Sequence, residues 1–103
     1  MNGFSIYLTS YPVKKYARGD IILHQDAEPP CAFLIKSGIV KSYNLTAKGE
    51  EKPIELSTQE DTFPIGWLFN KIKAAQYYYE AITDTELYCV PKAEFQVGPS
   101  RSE

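Results

Sequence analysis

Short apolar segments, each ended within a few residues by turn-forming side chains, recur along this chain of 103 residues. The clearest, residues 31–36 (CAFLIK), ends at Ser37-Gly38, and residues 39–43 (IVKSY) follow at once. Short runs separated by turns are typical of β-sandwiches and barrels. About seven or eight such runs can be counted, with little helix between them. The pattern predicts a mostly β, jelly-roll or double-stranded β-helix barrel with short flanking helices.

Glycines stand at several of the predicted turns. The other strands are predicted at residues 13–17, 21–24, 53–56, 75–82 and 86–90. Gly19, Gly38 and Gly49 lie between predicted strands, where glycine supplies backbone angles that a β-carbon obstructs. We therefore predict a structural role for these three residues.

Two short helices and a tail complete the predicted domain. Residues 63–73 (FPIGWLFNKIK) contain an apolar face at helical spacing. Pro91 suits the first position of a second helix, because its missing N–H has no partner there. The domain is predicted to span residues 1–95, and the polar tail 96–103 is predicted to be disordered.

The charge balance bears on possible partners. The net charge is −2 and the pI is about 5.4, which argues against a surface for the nucleic-acid backbone. Lys14, Lys15 and Arg18 form a local basic cluster that we attribute to a solvated strand edge. The sequence contains no apolar run of membrane-spanning length and no signal-peptide pattern, so no membrane partner is predicted.

The cysteines lead to an expectation about the compartment. Cys31 and Cys89 form neither a CxxC metal pair nor a disulfide framework. Each lies in an apolar segment, where a free cysteine behaves as a small buried hydrophobe. We therefore expect a cytoplasmic protein with both thiols reduced.

Catalytic chemistry finds no support in the sequence. His24 is the only histidine, so a histidine-rich metal site within one chain is excluded. A nucleophilic cysteine would likewise have only His24 as an imidazole base. Glycine-rich phosphate loops are absent from the sequence. We predict no catalytic residue, no metal and no cofactor, which disfavours a cupin-like enzyme.

Three segments carry a resemblance to a known family. They read YARGDIILHQDAEPPCAFLIKSGIVKSYNLTAKGEE, QEDTFPIGWLF and YEAITDTELYCVPKAEF. Their order and spacing resemble the cyclic nucleotide-binding domain of the CRP/FNR family of bacterial transcription regulators, from about Tyr11 to Phe95. The residues that fit the family arrangement of the first segment are Gly19, Ile21, Ile22, Phe33, Ile35, Gly38 and Val40.

The resemblance implies a sensor domain for a small-molecule effector. It also implies a homodimer that binds DNA through a helix-turn-helix segment absent from this sequence. The chain is then either one part of a longer regulator or a domain that stands alone. The alternative from another class is a ligand-free β-barrel that serves as a protein-interaction module.

The chain departs from the family at the phosphate-binding cassette. In the family, a Gly-Glu pair grips the ribose, and an Arg followed by Ser or Thr neutralises the cyclic phosphate. Here Pro64-Ile65 or Gly66-Trp67 stands at the first place, and Ala75 and Gln76 stand at the second. We therefore predict a degenerate cassette that does not bind cyclic AMP.

Seven residues near the cassette are candidates for contact with a ligand. Lys71 and Lys73 either act as point charges or keep a helix face in solvent. On a strand, Tyr77 and Tyr79 share one face and Tyr78 lies on the other. These rings either fill the sheet interior or line an altered ligand pocket or a partner surface. The complete set of candidates is Gly66, Trp67, Lys71, Lys73, Tyr77, Tyr78 and Tyr79.

Overall fold

The structure of the protein, a computed structural model, describes residues 11–97 and the side chains of residues 11–94. Eight strands and two short helices lie in that part of the chain. The strands are β1 (Val13–Tyr16), β2 (Ile21–Leu23), β3 (Ala32–Ser37), β4 (Val40–Leu45), β5 (Glu51–Ser57), β6 (Thr62–Phe63), β7 (Tyr78–Ala81) and β8 (Thr85–Val90). The helices are α1 (Ile65–Leu68) and α2 (Lys92–Val97).

The strands form two antiparallel sheets of four. One sheet has the order β1-β8-β3-β6, and the other has the order β2-β7-β4-β5. The main hydrophobic cluster draws side chains from both, so the sheets face each other across a common core. The predicted mostly β barrel architecture with short flanking helices is confirmed.

Strand β3 lies at the centre of the core. Phe33 and Ile35 point into the main cluster, where they meet Leu87 of β8. Ala32 and Leu34 point the opposite way, into a second cluster with Trp67, Leu68 and Val90. Because both faces of β3 are covered, its sequence is a continuous apolar run rather than an alternating one.

Gly38 holds the turn between β3 and β4 against β8. Its φ is +103°, in the left-handed region, and an added β-carbon would lie 2.7 Å from the carbonyl oxygen of Asp84. Both the backbone angle and the close approach therefore require glycine. Gly19 and Gly49 also adopt positive φ, but nothing lies within 4 Å of a β-carbon there.

Several boundaries differ from those predicted. Strand β6 was not predicted, and β7 begins at Tyr78 rather than at residue 75. The backbone of Ala75 bonds instead with the loop after β2: its carbonyl accepts from the N–H of Asp26, and its N–H donates to the carbonyl of Ala27. Helix α2 extends to Val97, and residues 98–103 of the predicted tail lie outside the described residues, as do residues 1–10.

The basic cluster lies where it was predicted. Strand β1 is at the edge of its sheet, and Lys14, Lys15 and Arg18 are exposed there. None of the helices in the described part of the chain is long and apolar enough to cross a membrane.

The expectation that both thiols are reduced is wrong, because Cys31 and Cys89 form a disulfide. Antiparallel pairing of β3 with β8 brings these residues, 58 positions apart in sequence, to a Cα–Cα distance of 5.6 Å. That distance lies within the range that a disulfide spans. Sequence spacing did not reveal this proximity. Disulfides are rare in reducing compartments, so the cysteines no longer support a cytoplasmic location.

Candidate functional site

A cavity of about 370 Å³ opens between strands β4 and β5 and the segment that carries α1. Its size is within the range of small-molecule sites, which begins at roughly 300 Å³. Residues of three strands and of the segment 62–77 form its walls. They are Ser42, Ile54, Glu55, Ser57, Thr62, Phe63, Pro64, Ile65, Gly66, Ile72, Gln76, Tyr77 and Tyr79.

The sheet wall of the cavity is set by strand register. Ser42 of β4 lies opposite Glu55 of β5 on one side and Tyr79 of β7 on the other. Side chains at opposed positions share a face, so these three point to the cavity together. The Ser42 hydroxyl donates a hydrogen bond to the backbone carbonyl of Glu55 at 3.3 Å. The acceptor is therefore the Glu55 backbone and not its side-chain carboxylate.

Aromatic rings form a second part of the wall. The rings of Phe63 and Tyr79 stack with their centroids 4.5 Å apart. Tyr77 meets Tyr79 edge to face at 6.4 Å. Burial, followed by the effects of Tyr77 and Glu55, raises the pKa of the Tyr79 hydroxyl well above its usual range. Burial therefore favours the neutral form of the Tyr79 hydroxyl.

Helix α1 and the loop after it close the far side. The carbonyl of Gly66 accepts hydrogen bonds from the N–H groups of Lys71 and Ile72, at 2.8 and 3.3 Å. These bonds fold the loop back over the helix. A β-carbon at Gly66 would lie 3.0 Å from the Ile72 side chain, so glycine permits this close packing.

The cavity carries a negative formal charge. Glu55 is the one lining residue with a formal charge at neutral pH, since neither Lys nor Arg lines the cavity in the described part of the chain. Glu55 is exposed, which places its carboxylate at the mouth of the cavity. The arrangement is suited to hydrogen bonding with donors rather than to holding an anion.

Comparison with known families shows which family this domain belongs to. The family description "Cyclic nucleotide-binding domain" matches residues 13–97. The chain belongs to the cyclic nucleotide-binding domain family. The predicted resemblance is thereby confirmed over most of the sequence.

Solved structures share the fold of this cyclic nucleotide-binding domain. The catabolite activator protein of Thermus thermophilus superposes with a TM-score of 0.76 at 21% identity, over 88% of this chain and 42% of that one. The sensor domain of the transcriptional regulator DNR from Pseudomonas aeruginosa gives 0.74 at 23% identity, over 84% and 57%. The EAL enzyme Bd1971 in its cAMP-bound form gives 0.73 at 21% identity, over 82% and 23%.

The domain thus spans 23–57% of the length of these three relatives. At such identities the likeness shows the fold alone. No curated protein matches the chain.

The structure brings three of the seven predicted candidates to the cavity of the domain, namely Gly66, Tyr77 and Tyr79. Tyr79 belongs to the main core cluster and also lines the cavity. Tyr78 lies on the opposite face of β7, where its ring stacks on Tyr43 at 5.5 Å.

The other three candidates lie away from the cavity. Trp67 is buried in the second core cluster, with the Lys92 ammonium 4.4 Å from its ring centroid. Lys71 is exposed and does not line the cavity. Lys73 borders a separate surface depression with Trp67 and Lys92.

Sequence reasoning missed the β4–β5 wall of the domain. Glu55 and Ser57 alternate with apolar neighbours in the sequence, so a period of two places them on one face of β5. This alternation could have predicted which face of the sheet the two side chains occupy. It did not reveal that the face borders a cavity, since this depends on contacts with the distant segment 62–77.

The structure also describes His24, the residue considered above for metal binding and base catalysis. His24 is exposed and meets the edge of Tyr78 at 5.7 Å, on the outer side of the sheet. Among the residues that the structure describes, no three or more His, Cys, Asp or Glu side chains gather in a way that could hold a metal ion.

Proposed function

We propose that this cyclic nucleotide-binding domain is an effector-sensing regulatory domain whose cavity binds a small molecule other than cyclic AMP or cyclic GMP. The observation that carries the proposal is the charge of the lining, in which Glu55 has no cationic counterpart among the described residues. The cassette is degenerate in the sense that its phosphate-neutralising and ribose-gripping side chains have been replaced.

The phosphate argument rests on desolvation. A cyclic phosphate taken into a partly enclosed cavity needs charged or multiple donors to offset the loss of water. Ala75, at the place of the family arginine, is a small buried core residue. Gln76, at the next place, lines the cavity but carries no charge. The two lysines nearest in sequence, Lys71 and Lys73, are exposed and lie outside the lining.

The ribose argument rests on the other half of the cassette. Of the residues that stand at the family glutamate place, Ile65 lines the cavity and Trp67 turns into the second core cluster. Neither supplies a carboxylate. Glu55 approaches from β5 instead, and its charge opposes a second anion in the same space.

The output of the domain is proposed to be regulation rather than catalysis. Two of the structural relatives are named as an activator protein and as the sensor domain of a transcriptional regulator. By likeness, we propose a homodimer that acts on DNA through a further segment. The net charge of −2 supports the assignment of DNA contacts to a segment other than this one.

A second candidate is favoured by exposed apolar side chains. Leu56 is 66% exposed and Phe69 is 63% exposed, and Ile65 lies near them in sequence at 51%. A ligand-free protein-interaction module would use such a surface. A thermal-shift screen of nucleotides and other small molecules separates the two functions. Only a sensor is stabilised by a ligand that binds its native state.

Isothermal titration of the 103-residue chain with cyclic AMP and cyclic GMP tests the proposed function directly. Hydrogen bonds to charged groups contribute roughly 1.5–3 kcal/mol each. Loss of both cassette groups therefore weakens binding by roughly a hundredfold to ten-thousandfold, and we expect no binding below millimolar concentrations. A micromolar dissociation constant for either nucleotide overturns the proposal.

A matched pair of variants sharpens the titration. Gln76→Arg places a cation at the cavity, and we expect measurable affinity for cyclic nucleotides to appear. Gln59→Arg makes the same change at an exposed turn position outside the lining and should leave the titration flat. Equal behaviour of the two variants would show that charge at the cavity is not what limits nucleotide binding.

A further inference from the structure

We infer that the cavity selects a small organic cation, with an ammonium group held at Glu55 and an apolar body among the aromatic rings. This rests on the proposed function, since it names the class of effector for the same cavity. The geometry that carries it is a carboxylate at the mouth of a space walled by Phe63, Tyr77 and Tyr79.

The aromatic walls favour positive charge. Three rings line one cavity, with Tyr79 in contact with both of the others at centroid distances of 4.5 and 6.4 Å. The face of an aromatic ring carries negative potential and attracts an ammonium group within about 6 Å. Phe63 and Tyr79 stack on each other, so Tyr77, which is half-buried and not stacked on either ring, is the ring we assign to this contact. The same potential repels an anion, so rings and carboxylate act in the same direction.

The polar lining accepts hydrogen bonds. An ammonium group has only donors, and it needs oxygen acceptors around it when it leaves water. The cavity offers the Glu55 carboxylate and the hydroxyl oxygens of Ser42, Ser57 and Thr62. The Ser42 hydroxyl donates to a backbone carbonyl, which leaves its oxygen lone pairs to accept.

The apolar lining sets the body of the ligand. Ile54, Ile65 and Ile72 border the space together with the rings, so a hydrocarbon or aryl group is covered on several sides. Burial of such a group contributes in proportion to the apolar area removed from water. An apolar amine therefore uses every part of the lining. A neutral ligand leaves the Glu55 carboxylate without an ionic partner, and an anionic ligand is repelled by that carboxylate.

Three probes of one skeleton measure this preference, namely 4-phenylbutylamine, 4-phenylbutanol and 4-phenylbutyrate. Each is titrated into the full chain at neutral pH. We expect the amine to bind roughly tenfold more tightly than the alcohol, because an exposed carboxylate gives the lower part of the range for a charged hydrogen bond. The carboxylate probe should give no measurable binding.

A pair of variants tests the role of Glu55. Glu55→Gln keeps the shape of the side chain, and we expect the amine to lose about tenfold in affinity while the alcohol is unchanged. Glu50→Gln removes the same charge from an exposed position outside the lining and should leave both affinities unchanged.

Three results would overturn the inference: a carboxylate probe that binds as well as the amine, an amine affinity that Glu55→Gln leaves unaltered, or no binding by any probe at millimolar concentration. None of these three results would indicate that the cavity binds a cyclic nucleotide. Failure of the proposed function appears separately, as tight binding of cyclic AMP or cyclic GMP.

Discussion

Strands β3 and β5 are neighbours of the same strand β4 in sequence, yet they have opposite environments. In β3, four consecutive residues from Ala32 are buried, and the strand is paired on both sides. In β5, six of seven residues are exposed, and the strand lies at the edge of its sheet. The packing of β3 constrains each of its side chains. Because most side chains of β5 are exposed, packing places few constraints on which residues occupy this strand. Glu55, the charged residue of the cavity lining, lies in β5.

The largest expected effect comes from cutting a core side chain in β3. Phe33 is 1% exposed and stacks on Phe63 at 5.3 Å. Phe33→Ala should lower the free energy of unfolding by about 3–5 kcal/mol, because it removes buried apolar area and leaves a cavity. Urea denaturation followed by circular dichroism measures this change.

Leu56→Ala is the matched change in β5. Its side chain is 66% exposed, so we expect a change within about 0.5 kcal/mol. A similar loss in the two variants would break the contrast between the strands. It would indicate that β5 is covered by contacts that the single chain does not show.

Two turn glycines provide a smaller and more specific contrast. Gly38 and Gly49 both have positive φ, at +103° and +83°, but only Gly38 approaches β8 closely. Gly38→Ala should cost about 1–3 kcal/mol, since strain and a collision with the Asp84 carbonyl act together. Gly49→Ala meets open space and should cost only about 1 kcal/mol. Thermal denaturation of the two variants compares them, and a larger loss at Gly49 would contradict the assigned role of Gly38.

The contrast between β3 and β5 also explains what could be predicted from sequence. CAFLIK is a short, mostly apolar run that is bounded by Pro29-Pro30 and Ser37-Gly38, and this length with these turn signals is typical of a buried strand. Gly38 was predicted to be structural from a local signal too, because it separates two predicted strands. Neither inference needed to know which element covers the strand.

The cavity and the disulfide depend on residues that are distant in sequence. Cys31 meets Cys89 because β3 pairs with β8, and Glu55 shares a cavity with Tyr79 because β4 lies between β5 and β7. Periodicity gives the facing of a side chain but not its neighbour on another strand. Lys71 and Lys73 lie outside the cavity lining for the same reason, since closeness in sequence to the cassette does not place a side chain in the cavity.

The smallest effect at neutral pH concerns the two faces of β7, which carry Tyr79 inward and Glu80 outward. On the outer face, the Tyr43 hydroxyl donates a hydrogen bond to the Glu80 carboxylate at 3.1 Å. Burial, followed by this hydrogen bond and the charge of Glu80, raises the pKa of Tyr43 to about 12. The unfolded chain has a tyrosine pKa near ~10.

The raised pKa of Tyr43 therefore adds stability that is fully present below about pH 10 and is lost as the pH rises toward about 12. Absorbance titration at the phenolate band, with Tyr43→Phe to assign the component, measures the pKa. Glu80→Gln should lower it while leaving it above ~10, because burial is the larger cause. Glu86→Gln changes a carboxylate that lies beside Lys36 in the other sheet and should not move it. If Glu80→Gln leaves the Tyr43 component in place, the outer face is held by ring stacking with Tyr78 and not by the hydrogen bond.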